Sequence, residues 1–95
     1  MDLGIAGRKA LITASSRGLG RACAEALAAE GVDVVINGLS VENLERAGEA
    51  IVSAHGVRVT PVRADINTSE GRRALLDVCP DPDILVNASR ASLER

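Results

Sequence analysis

Two hydrophobic rhythms alternate along the chain. Ala10-Leu11-Ile12-Thr13 is a short apolar run stopped by a Ser/Gly-rich turn, which predicts a buried strand. From Gly18 to Glu30, the apolar positions Leu19, Ala22, Cys23, Ala26 and Leu27 keep the i, i+3, i+4, i+7, i+8 spacing of an amphipathic helix, and Gly31 is placed to end it. Val32 to Ile36 is apolar and mostly β-branched, as in a strand covered on both faces, and Asn37-Gly38 breaks it. Ser40 can cap a second helix whose apolar face is Val41, Leu44, Gly48 and Ile51, with Gly56 at its end. Val57 to Ala64 reads as a third strand. Pro61 cannot donate to a ladder, so this strand belongs at the sheet edge or starts near Val62. Asn67 or Thr68 can cap a third helix running to Val78, with Ala74, Leu75 and Val78 inward and Pro80 and Pro82 beyond its end. Ile84-Leu85-Val86 is a fourth strand leading into Asn87, whereas Ser89 to Arg95 has no pattern of its own.

Four strands alternating with three helices predict an α/β fold with a parallel sheet. Right-handed crossovers then give the strand order 3-2-1-4, a doubly wound, Rossmann-type arrangement cut to four strands. Ligands of such sheets bind beyond the carboxyl ends of the strands, at the switch point between strands 1 and 4. Thr13 to Gly20, Gly38, Asp65 and Asn87 all fall around that one crevice.

The glycine turn Thr13-Ala14-Ser15-Ser16-Arg17-Gly18-Leu19-Gly20 carries the first chemistry. Gly18 permits close backbone approach to a pyrophosphate, Gly20 permits tight packing of helix on strand, and the free amides at the helix start attract phosphate oxygens. Lying between a strand and a helix, with another strand following, the turn reads as dinucleotide-binding; the plainer alternative is a tight turn with no ligand.

These residues also carry a resemblance. Lys9 to Gly20 resembles the start of the short-chain dehydrogenases/reductases, whose loop has the form Thr-Gly-x-x-x-Gly-x-Gly; Thr13, Gly18 and Gly20 match it, and Ala14 replaces the first glycine. Asp65-Ile66 resembles the Asp-Val pair of that family, whose aspartate contacts adenine, and Asp83 to Asn87 resembles its fourth strand, which runs into Asn-Asn-Ala-Gly. The similarity stops after Asn87, where Ala88-Ser89-Arg90 follows and Arg90 takes the glycine position. Residues 1–95 therefore read as one partial Rossmann domain, family-like over 1–88, with an unmatched tail over 89–95. The resemblance implies a nicotinamide cofactor held by Thr13, Ser15, Ser16, Arg17, Gly18, Leu19, Gly20, Gly38, Asp65, Ile66 and Asn87. Asp65 can equally cap the third helix or bond local amides, and Asn87 can equally tie strand 4 to a neighbour. Ala14 costs little at negative φ and is penalised at positive φ.

Charge bears on which cofactor. An acid about 20 residues past the loop binds the ribose 2′-hydroxyl of NAD and repels a 2′-phosphate; Gly38 occupies that position. Arg17 can pair with a 2′-phosphate, or stand as a solvated loop charge. Leu39 sits where many NADP-preferring members carry Arg, yet the acid-free position and Arg17 favour NADP(H) over NAD(H).

Composition limits the rest. The chain has 95 residues, 46% apolar and 25% charged, with net charge −2, which fits an ordinary soluble globular domain and no nucleic-acid partner. No apolar run suits a membrane span, the opening Met-Asp-Leu-Gly-Ile has no basic stretch before an apolar core so no secretory signal is expected, and a cytoplasmic location is expected with Cys23 and Cys79 free and packed as small apolar groups. Neither cysteine has a companion at metal spacing; His55, the only histidine, reads as a cation near a helix C-terminus. The family transfers a hydride between the nicotinamide and a carbonyl or alcohol, using a Tyr, a Lys four residues later, a Ser and often an Asn, all beyond strand 4. This sequence has no tyrosine, and its only lysine is Lys9, so no catalytic residue is assigned and the chain alone is expected to be inactive. Strand 4 would have an open apolar edge, which predicts a homo-oligomer. The alternative function is a non-catalytic Rossmann fragment that binds a nucleotide or self-associates.

Overall fold

A computed structural model describes residues 7–14 and 18–88. Its elements run β1 (Lys9–Thr13), α1 (Gly18–Ala29), β2 (Asp33–Gly38), α2 (Val41–His55), β3 (Val59–Arg63), α3 (Ser69–Val78) and β4 (Ile84–Asn87). The four strands form one parallel sheet in the order β3-β2-β1-β4, as the alternation predicts. β1 is central: Leu11 stands between Val35 of β2 and Leu85 of β4. Edge placement of β3 accommodates Pro61, the ladder partner of Ile36. β4 forms the other edge, and Leu85 there is 64% exposed.

Alternate residues of each strand point to opposite faces, which divides the core in two. On one face Ala10, Ile12, Val34 and Ile36 pack with Ala24 and Ala28 of α1 and with Leu44, Ala47 and Ile51 of α2. On the other, Leu11, Val35 and Ala64 pack with Leu75 and Cys79. Burial raises the Cys79 thiol above its ordinary range, with Lys9 pulling the other way and Asp81 and Asp83 adding to the rise.

The helix ends follow the sequence. Ser40 Oγ accepts from Asn43 N at 3.2 Å, Gly56 closes α2 at φ +70°, and Thr68 (not Asn67) caps α3 through Gly71 N at 2.9 Å.

Four expectations are corrected. The buried face of α1 is Gly20, Ala24 and Ala28, flanked by Cys23 and Leu27, while Leu19 is 71% exposed and Ala22 and Ala26 also face out. Contact with the sheet selects the smallest side chains at i, i+4, i+8, which carry little hydropathy of their own. β2 does not break at Asn37 but continues through Gly38, because the Asn37 amide is fully hydrogen-bonded inside the fold. Val41 begins α2 on its exposed side rather than on the Leu44–Gly48–Ile51 face. Val78 is exposed and Cys79 buried in its stead, because the chain leaves helical geometry at Cys79, with φ −137° and ψ 76°.

Candidate functional site

The carboxyl ends of all four strands open on one edge of the sheet, and each contributes part of the site. β1 ends on Thr13, whose side chain points to β4. Its Oγ1 donates to Asn87 Oδ1 at 3.0 Å and accepts from Ala88 N at 3.0 Å. These bonds span the switch point, so Thr13 and Asn87 tie together the two strands that flank it. Of the two readings open for Asn87, the tie is directly visible.

Ala14 follows at φ +50°, the left-handed region. A side chain there costs on the order of 1 kcal/mol, so the condition under which Ala14 is penalised is met. Its N–H donates to Asn37 Oδ1 at 3.0 Å. The chain then reaches Gly18, the first residue of α1, at φ +68°; a Cβ on Gly18 would meet no atom of the described residues within 4 Å. Gly18 therefore serves backbone conformation and leaves open space beside the helix start. Gly20 is buried one turn into the helix, and Leu19 between them faces out. Ser15, Ser16 and Arg17 lie outside the described residues, as do 89–95 with Arg90.

Asn37 is the residue that sequence reasoning missed. It is 2% exposed, and besides holding Ala14 N it donates through Nδ2 to Val62 O at 3.2 Å and Ala64 O at 2.9 Å. One amide thus joins the end of β1 to the end of β3 across β2. The signal available was an Asn closing an otherwise apolar, β-branched run, since a buried amide requires partners.

Gly38 ends β2 opposite Arg63, and the turn Gly38-Leu39-Ser40 carries no carboxylate. Asp65 and Ile66 follow β3. Asp65 Oδ1 accepts from Asn67 N at 2.9 Å, and its carbonyl accepts from Thr68 N and Thr68 Oγ1 at 3.0 and 2.8 Å. The local-amide role is therefore present, with the carboxylate still half-exposed at the crevice. Ile66 packs against the smaller core, and its carbonyl accepts from Arg72. Gly71, buried in the first turn of α3, lies so close to Asp65 that a Cβ there would collide with its backbone carbonyl. This contact sets where α3 meets the Asp65 turn. Among the described residues, no three His, Cys, Asp or Glu gather as a metal site, and no helix is long and apolar enough to cross a membrane.

A parallel sheet ordered β3-β2-β1-β4 with a glycine turn at its switch point agrees with the alternation of strand and helix patterns, and Asp65 follows β3 as the resemblance implied. Residues 8–89 match the short chain dehydrogenase family. The chain belongs to that family. Relatives of this family include an uncharacterized oxidoreductase, YvaG, of Bacillus subtilis, 39% identical over 88 residues, covering 92% of this chain and 33% of YvaG. Another is the 3-oxoacyl-acyl-carrier-protein reductase FabG of Aquifex aeolicus, 34% identical, covering 92% of this chain and 37% of FabG. Among solved structures, L-sorbose reductase from Gluconobacter frateurii, complexed with NADPH and L-sorbose, superposes with a TM-score of 0.90 at 40% identity, covering 94% of this chain and 35% of that one. The chain thus spans about a third of the length of these family members.

Proposed function

We propose that this chain forms the NADP(H)-binding part of a short-chain dehydrogenase/reductase that interconverts carbonyls and alcohols. The observation that carries the reading is the acid-free Gly38 turn, set on the same sheet edge as the open glycine turn at Gly18. A carboxylate at the end of β2 would bind a ribose 2′-hydroxyl and repel a 2′-phosphate; here none does either. The superposable L-sorbose reductase was solved with NADPH, which supports the same preference.

The residues present fit a dinucleotide. Gly18 leaves unfilled space at the start of α1, where amide N–H groups meet the pyrophosphate, and Ser15, Ser16 and Arg17 belong to that same turn by sequence. The Asp65 carboxylate and Ile66 border the adenine end, and Gly38 and Leu39 border the ribose. Thr13 and Asn87 hold the switch point closed beneath the nicotinamide half. When bound, the nicotinamide supplies or accepts the hydride. None of these 95 residues is a tyrosine, so the proton donor that the family uses is not among them, and the role assigned to this chain is to hold and orient the cofactor.

Isothermal titration with NADPH and NADH tests the proposal. NADPH is expected to bind about tenfold more tightly than NADH, the ratio that one charge-assisted phosphate contact supplies. No NADPH binding up to about 1 mM would remove the cofactor assignment, since that affinity lies near the floor of specific recognition. Equal affinities would remove the preference for the phosphorylated form.

A further inference from the structure

Arg63 is the last residue of β3, across the ladder from Gly38. It is exposed, and its side chain reaches over the turn that follows β2: Nε donates to Leu39 O at 3.1 Å. That bond uses one of the five N–H groups of a guanidinium and leaves those of the two terminal nitrogens for a ligand. Among the described residues, the ion pairs are Arg21–Glu25 and Arg46–Glu42, and Arg63 belongs to neither. Leu39, 58% exposed, brings no charge of its own to the turn, and neither Gly38 nor Ser40 brings an acid. A main-chain carbonyl therefore holds a planar, unneutralised cation at the turn beside the proposed adenosine ribose.

We infer that Arg63 is the residue that recognises the 2′-phosphate, acting from the neighbouring strand in place of a cation on the turn itself. The inference rests on the reading of this crevice as a dinucleotide site. Its chemistry is the fork-shaped pairing of a guanidinium with the oxygens of a phosphate monoester, which an ammonium cannot reproduce because it acts as a point charge. With Nε anchored on Leu39 O, the fork loses little freedom on binding.

Titrations of the wild-type chain, Arg63→Gln and Arg63→Lys with NADPH, NADH, adenosine 2′,5′-bisphosphate and ADP, at one ionic strength, test it. Arg63→Gln is expected to weaken NADPH and the 2′,5′-bisphosphate by about tenfold and to leave NADH and ADP within about twofold. Arg63→Lys is expected to fall between, because it keeps charge and loses the fork. Loss of NADPH and NADH in equal measure would show that Arg63 serves the turn's structure and overturn the inference. Unchanged NADPH affinity in Arg63→Gln would overturn it while leaving the dinucleotide site standing. Absence of binding by either dinucleotide in the wild-type chain would overturn both readings together. A thermal melt of each variant, expected to match the wild type, separates a lost contact from a lost fold.

Discussion

Two strand-to-helix turns border the same crevice, and glycine serves opposite purposes in them. In the turn from β1 to α1, Gly18 has a positive φ and open space where a side chain would stand. In the turn from β3 to α3, Gly71 is an ordinary helical residue pressed against the backbone of Asp65. The first turn needs a conformation, and the second needs a contact. Their supports differ in the same way. The β3–α3 turn is tied to β2 only at its first residue, Ala64, and past that it is held by its own neighbours, through Asp65, Asn67 and Thr68. The β1–α1 turn is held from a distance, by Asn37 on β2 and Asn87 on β4. A turn that must leave room for a ligand cannot fill that room with its own bonds, so other strands supply the restraint.

The largest effect is expected where contact is tightest. Gly71→Ala should cost about 3 kcal/mol, because the colliding atoms are backbone and α3 must move as a body. Urea denaturation measures it; a loss below about 1 kcal/mol, or the gain that Gly→Ala gives at an open helical site, would erase the distinction between the two glycines. Asn37→Ala should cost about 2 kcal/mol, since Ala14 N and the carbonyls of Val62 and Ala64 lose their partner inside the fold. Amide exchange sharpens this case: protection should fall at Ala14 in the β1–α1 turn and persist at Thr68 in the β3–α3 turn. The smallest effect has the opposite sign. Ala14→Gly should stabilise the chain by about 1 kcal/mol, by relieving the φ +50° residue, and raise Tm by several degrees. A lowered Tm would mean that the strain at Ala14 is smaller than the added freedom that glycine gives the unfolded chain.

Strands, helices and their order were legible because two hydrophobic periods alternate without interruption, and because crossover handedness leaves one arrangement of four parallel strands. The caps at Ser40 and Thr68 and the stop at Gly56 were legible because each acts within a few residues. The packing face of α1 was not, because Gly20, Ala24 and Ala28 contribute closeness rather than hydropathy. Asn37 was misread as a strand breaker because its partners lie 23 to 27 residues away, beyond any local pattern. At Ala14 the sequence defined the question, sign of φ included, and only the fold could answer it. Asp65 shows the same limit: a carboxylate that bonds its own turn and one that meets a ligand have the same sequence signature, and the bond to Asn67 N is what the fold displays.

The bond from Thr13 to Asn87 joins residues 74 positions apart. In a chain made from its N-terminus, β1, β2 and β3 can pair while β4 is still being synthesised, and Thr13 then waits at the end of a central strand that has one neighbour. Closing so long a loop carries an entropy that local helices never meet, so this pairing is expected among the slow steps of folding. The switch point thus joins the first made of these four strands to the last made, and is completed only when that last strand arrives.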